Sequence, residues 1–354
     1  MILFLFCIMF SFFLTLLILY SHTHLHAIAK PRGDGLAVQS SHVGEPARVG
    51  GLAVLLSLMA VAIIQTAFQE TYQTPLLLLS VLPVFIAGLA EDLGHRVSPR
   101  GRFLAAIVSA IAAVSLLGAW APRSDIPYLD AAMSLPLVAI ILTVLFSAGF
   151  CHAVNLIDGM NGLASTVVTI SALGCAAISA QAEQPEITGF ALLLAAGTVG
   201  FLPLNWPYAR LFLGDAGAYG LGHLLVWLPF LLAWKTDTVA VPALMLVIFW
   251  PLADVIHTIL RRLAERASIL QPDKMHLHQK VRRMLDIIWF GYQGRQRSNP
   301  LTTLVLLPFI TVPVVTGTLL WDQPTAAWCA LGAFMLAFAL AHPLTVRLAH
   351  KFRK

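Results

Sequence analysis

Eleven apolar runs, each close to the length a helix needs to cross a hydrocarbon layer, dominate this 354-residue chain. They lie near 2–20, 49–68, 75–91, 102–120, 132–151, 162–180, 187–204, 214–234, 238–257, 301–321 and 325–343. A bilayer core is crossed by about 20 apolar residues in helical form. Charged residues make up only 11% of the chain, against about 25% in soluble domains. So few charges cannot cover a water-facing surface, so the bilayer must act as solvent. The expected fold class is an all-α integral membrane protein with about eleven transmembrane helices in a single polytopic domain over 1–354. No Lys or Arg precedes Lys30, so residues 2–20 are read as a retained span rather than a signal peptide. Cys7, Cys151, Cys175 and Cys329 lack any CxxC spacing and read as buried small residues.

The basic residues orient the spans. With the N-terminus outside, alternate loops and the C-terminal tail hold 20 of the 22 Lys and Arg residues. The opposite side keeps only Arg123 and Lys235. One missed span would invert every later loop and destroy this split. The positive-inside rule therefore predicts a periplasmic N-terminus, a cytoplasmic C-terminus and location in the cell inner membrane. Cytoplasmic loops are expected near 21–48, 92–101, 152–161, 205–213 and 258–300. Orientation and contact with anionic membrane lipid account for the net charge of +5, and no nucleic-acid partner is needed.

Polar residues gather on that same face. Glu91 and Asp92 follow the third run, and Asn155, Asp158 and Asn161 the fifth. Asn205, Arg210 and Asp215 follow the seventh, and Asp254, His276 and His278 the ninth. A loop acid is usually just solvated. Asn155-Leu-Ile-Asp158-Gly-Met-Asn161-Gly, however, holds no basic residue that could pair with Asp158. Leu213-Gly-Asp215-Ala-Gly217 sets an acid between glycines, where backbone approaches a ligand closely. Clusters of Asp and Asn oxygens suit Mg²⁺. Ser98-Pro99 reads as the N-cap and first residue of a helix whose start could receive a phosphate. His276-Leu-His278 lacks a third close ligand for Zn²⁺, and phosphate recognition or a solvated loop fits it better. His22, His24 and His26 read as interfacial polar residues.

In order along the chain, these stretches resemble the polyprenyl-phosphate N-acetylhexosamine-1-phosphate transferases. That family (glycosyltransferase family 4) includes enzymes that start O-antigen and common-antigen chains, and the phospho-N-acetylmuramoyl-pentapeptide transferase of peptidoglycan synthesis. The resemblance rests on Ser40-Ser41-His42 with Pro46-Ala-Arg48-Val-Gly50-Gly51, on Glu91-Asp92 with Ser98-Pro99-Arg100, and on Asn155 to Gly162. It continues through Asn205, Arg210 and Gly214-Asp215-Ala-Gly217 to Pro272-Asp273-Lys-Met-His276-Leu-His278. It implies transfer of a sugar-1-phosphate from a UDP-sugar to polyprenyl (undecaprenyl) phosphate with release of UMP. It also implies Mg²⁺, or Mn²⁺, on Asp215 and catalytic roles for Asp92, Asp158 and Glu91. Substrate contacts are expected from His42, Arg48, Asn155, Asn161, Asn205, Arg210, His276 and His278. A homodimer is compatible with it. Glu91 stands where the family usually has Asp, Asn161 replaces an Asp, Ala218 a Ser, and Gln279 a third His. The changes at Glu91, Asn161 and Gln279 point away from the pentapeptide-carrying substrate.

Two rivals are weaker. A transporter would place its acids near the midplane of repeated halves, whereas these lie at one interface and no repeat is seen. A CDP-alcohol phosphotransferase would need Asp-Gly-x-x-Ala-Arg, which Asp158-Gly-Met-Asn-Gly-Leu does not match. The sidedness has a direct check. A reporter fused after Lys354 is expected to be active only in the cytoplasm, and a signal confined to the periplasm refutes the orientation.

Overall fold

The computed structural model describes residues 1–25, 47–69, 73–266, 273, 275–291 and 294–352. His42 lies outside them, as do His26 and Lys274. Regular structure among these residues is entirely helical. The helices are α1 (Ile2–Leu25), α2 (Gly50–Gln69), α3 (Gln73–Ser80), α4 (Leu82–Asp92), α5 (Pro99–Leu117), α6 (Pro127–Met133), α7 (Pro136–Ile157) and α8 (Leu163–Gln181). They continue as α9 (Pro185–Asn205), α10 (Gly214–Lys235), α11 (Val241–Val247), α12 (Phe249–Ala264), α13 (Leu277–Leu285), α14 (Arg295–Leu319) and α15 (Pro324–Lys351). Asp286–Phe290 forms a π-helical turn after α13.

Nine of these helices are long and apolar enough to cross a membrane, and the number is 11 if two bent pairs each count as one span. All eleven runs therefore have a helical counterpart. Two of them are broken, which hydropathy alone did not show. α3 and α4 meet at 42°, and α11 and α12 at 92°. Pro83 and Pro251 stand just inside the second helix of each pair. A proline there lacks the N–H that would continue the ladder, and its ring clashes with the carbonyl four residues back. The expected loops also shrink. Asn155 lies in the last turn of α7, Asn205 ends α9, and much of 258–300 is helical, because α12 and α13 each present one apolar and one basic face.

Local rules account for several helix ends. Ser98 caps α5, its hydroxyl accepting from the Gly101 N–H at 3.1 Å with Pro99 first in the helix. The same helix stops at Gly118, which is left-handed at φ +60.

α10 is the axis of the bundle. It is buried from Gly214 to Ala233, and α2, α4, α7, α8 and α9 pack around it. α2 meets it glycine on glycine. A Cβ added to Gly51 of α2 would lie 2.0 Å from the Gly217 Cα of α10. The far end of α10 is closed by Arg123, whose guanidinium donates to the carbonyls of Ala233 (3.2 Å), Thr236 (3.4 Å), Asp237 (3.1 Å) and Val239. Arg123 also pairs with Asp125 at 3.0 Å, which in turn accepts the Val241 N–H.

Backbone contact at Gly51 leaves no flexible side chain to give way. Gly51→Ala is expected to cost about 1–3 kcal/mol, read as a lower unfolding temperature of the purified protein. Gly149→Ala on α7, where a Cβ meets nothing within 4 Å, is expected to leave that temperature unchanged. Equal behaviour of the two would refute the packing argument.

Candidate active site at the start of the central helix

The site begins with backbone. Segment 47–51 runs beside 211–213. The Phe212 N–H donates to the Ala47 carbonyl, Gly50 to Phe212, and Gly51 to Leu213, each at 2.9 Å. This lacing brings the Arg48 carbonyl against Gly214, where a Cβ would lie 1.8 Å from it. Gly214 also holds φ +74, so no other residue fits both the space and the conformation. α10 starts there, and three acids meet at its first turn.

Asp92, the last residue of α4, accepts the N–H groups of Asp215 and Ala216, each at 2.9 Å. It satisfies two of the donors that a helix start leaves open, and its charge opposes the positive end of the helix dipole. Asp158, immediately after α7, lies near the Gly214 N–H. Its Oδ1 is buried and has no partner. Burial foremost, with Asp215 and Asp92 nearby, pushes its carboxyl well above the usual range, although Arg48 and the Gly214 N–H act the other way.

Asp215 itself is 4% exposed and would be costly as a lone charge. The Arg102 guanidinium from the first turn of α5 binds it in a short ion pair. Asn155 Nδ2 donates to Oδ1 at 3.1 Å, and half-exposed Arg48 approaches the same oxygen at 3.5 Å. Arg102 also lies over the Tyr219 ring, 6.0 Å from its centroid, and the Tyr219 hydroxyl is 3.2 Å from His152 Nδ1.

The structure thus brings together Asp92, Asp158, Asp215, Arg48 and Asn155. Glu91 stands beside them and holds the turn into α5, accepting the Val97 N–H at 2.6 Å. Asn205 and Asn161 do different work. Asn205 takes the Ser165 hydroxyl and donates to Leu211, tying the 206–213 loop to the bundle. Asn161 donates to the Pro207 carbonyl at 2.7 Å, while its backbone N–H meets Asn299 at 2.8 Å. Arg210 is exposed on that loop.

His276 and His278 form a second centre, around Asp254 of α12. His276 Nδ1 is 2.8 Å from Asp254 Oδ2, and the two imidazoles stack at 5.5 Å. Burial works against a charge on His276, but the Asp254 carboxylate outweighs it and holds the imidazole above its usual range. His278 is pushed down to about 4, chiefly by burial.

Arg102 is the candidate site residue that sequence reading missed, counting it only among the basic loop residues. Its place in the first turn after the Ser98 cap was visible, but its partner 113 positions away was not. Among the described residues no three His, Cys, Asp or Glu side chains are grouped to hold a metal ion. What the residues do fit is a cation that takes one or two carboxylates and completes its shell from a ligand, because Asp158 Oδ1 is a buried oxygen with nothing on it.

A chain of this kind is a polytopic helical membrane protein with an acidic and guanidinium-lined site at one end of its central helix. Residues 74–233 match the model of the family described as Glycosyl transferase family 4. It is 29% identical to a Bacillus subtilis protein named "Probable undecaprenyl-phosphate N-acetylglucosaminyl 1-phosphate transferase", over 77% of this chain and 74% of that one. It is 25% identical to the decaprenyl-phosphate N-acetylglucosaminephosphotransferase of Mycobacterium leprae, over 92% and 85%. A phospho-N-acetylmuramoyl-pentapeptide-transferase of Staphylococcus haemolyticus is 28% identical over 57% and 66%.

Asp92 is thus a helix cap as well as a candidate catalytic acid, and stability measurements separate the two roles. Asp92→Asn keeps one acceptor and Asp92→Ala none. Unfolding temperatures are expected to fall in the order wild type, Asn, Ala, with about 0.5–2 kcal/mol lost for the missing cap. Unchanged stability in Asp92→Ala would remove the capping role.

Proposed function

We propose that this protein transfers an N-acetylhexosamine-1-phosphate from a UDP-sugar to polyprenyl phosphate at the cytoplasmic face of the inner membrane and so starts a lipid-linked surface glycan. The observation that carries this reading is the convergence of Asp92, Asp158 and Asp215 on one buried helix start, with Arg48 and Arg102 beside them. The names of the relatives support the same chemistry.

An oxygen of the lipid phosphate attacks the sugar-linked β-phosphorus. The bond from that phosphorus to the bridging oxygen breaks, and UMP leaves. Phosphoryl transfer depends mainly on positioning and on neutralising charge. Arg48 and Arg102 are the cations placed to bind a diphosphate. Asp158, with its free oxygen, is the group to orient the incoming phosphate and accept a proton from it. Mg²⁺, or Mn²⁺, held by Asp215 would neutralise diphosphate charge when bound. His276 and His278 are assigned to the donor's phosphate or sugar.

The donor we favour is a plain UDP-N-acetylhexosamine. The pentapeptide-carrying donor of the Staphylococcus relative is the second reading, and that relative matches a smaller share of this chain. Purified protein is expected to release UMP only when UDP-sugar and polyprenyl phosphate are both present. Asp215→Ala should abolish turnover at every Mg²⁺ concentration. Turnover of UDP-N-acetylmuramoyl-pentapeptide, with every UDP-N-acetylhexosamine ignored, would overturn the donor assignment. Wild-type rates in Asp215→Ala would overturn the site.

A further inference from the structure

We infer a second anion site, a groove of about 430 Å³ between α12, α13 and α15 that takes the phosphate headgroup of an anionic phospholipid. It is lined by His257 and Arg261 of α12, Lys280 of α13, and His342, Pro343 and Arg347 of α15. None of these elements supplies Asp92, Asp158 or Asp215. The inference stands apart from the proposed transferase chemistry.

The groove is rich in donors and short of acceptors. Lys280 Nζ is 3.0 Å from His342 Nδ1. An ammonium only donates, so Nδ1 accepts and the imidazole proton sits on Nε2. His342 is 4% exposed, and that Nε2 is buried without a partner. The His257 ring stacks on it at 3.7 Å, and His257 Nδ1 is also unpartnered. Arg261 is matched by Glu265 and Asp273. Among the described residues, Lys280 and Arg347 have no carboxylate at ion-pair distance. Burial and neighbouring Arg261 hold the Lys280 ammonium below its usual range, which an arriving anion would relieve. A phosphate, with several acceptor oxygens and no donor of its own when ionised, supplies what is missing.

The flank of the groove favours a lipid over a free phosphate. Leu336, Leu340, Pro343 and Arg347 follow one another at spacings of four, three and four, a single face of α15. Leu336 and Leu340 are 61% and 58% exposed, so an apolar strip leads from the cations along the span. α15 has 28 residues, about 42 Å of helix against a hydrocarbon core of about 30 Å. Its basic end therefore extends to headgroup level, where basic pockets between helices bind anionic lipids.

Native mass spectrometry of the purified full chain in detergent tests this, with phosphatidylglycerol and phosphatidylcholine of matched acyl chains. Wild type is expected to retain phosphatidylglycerol more tightly. Lys280→Gln and Arg347→Gln should each weaken that retention about fivefold and leave phosphatidylcholine binding unchanged. Arg347 is exposed, so its single variant reports even where Lys280→Gln fails to fold. Equal retention of the two lipids, or undiminished phosphatidylglycerol binding in Arg347→Gln, overturns the inference. Displacement of the lipid by millimolar inorganic phosphate alone overturns the lipid assignment in favour of a free-phosphate site. Displacement by polyprenyl phosphate but not by added phosphatidylglycerol overturns it in favour of the acceptor.

Discussion

Everything at the candidate site depends on giving a buried carboxylate its polar partners inside a bundle of apolar helices. Asp215 stands in the first turn of a helix that is buried from Gly214 to Ala233. Arg102, Arg48 and Asn155 converge on its two oxygens from outside that helix. Removing one partner of such a set leaves the rest uncompensated and costs several kcal/mol. The folding of α2, α5 and α7 around α10 is thus coupled to the electrostatics of one residue.

The same helix explains why its two ends differ. At its start, the Asp92 carboxylate accepts the N–H groups of Asp215 and Ala216. At its end, the Arg123 guanidinium gathers carbonyls. Each charge opposes the partial charge of the backbone it meets. Arg123 and Lys235 are the two basic residues placed outside by the loop count, and Arg123 is accounted for by a structural duty. The glycines on α10 let neighbouring backbones come close enough for these contacts to form. Apolar side chains there would hold the acids apart.

The resulting arrangement suits a reaction between a nucleotide sugar and a lipid phosphate. Both substrates carry phosphates, and the site offers guanidinium groups together with one carboxyl oxygen left without a partner. The Asp254, His276 and His278 centre is built separately on α12 and α13, beyond a 92° break. Two polar centres on different elements fit a reaction whose two substrates arrive from water and from lipid.

Hydropathy is a local property, so the sequence by itself determined which apolar runs form helices, their approximate positions, and the helix ends near which the polar residues lie. Capping is local too, which is why residue type alone places Ser98 and Pro99 at the start of α5. Partnerships across the bundle are not local. That Asp92 caps a helix 123 positions away, that Arg102 neutralises Asp215, and that Asn205 and Asn161 brace a loop were all decided by tertiary packing. The breaks at Val81 and Ile248 belong to the same group. A proline near a helix start permits a bend, but its angle follows from what the two halves pack against. Residue type and spacing show which side chains can accept or donate, while the three-dimensional approach of distant backbones selects the partner each one meets.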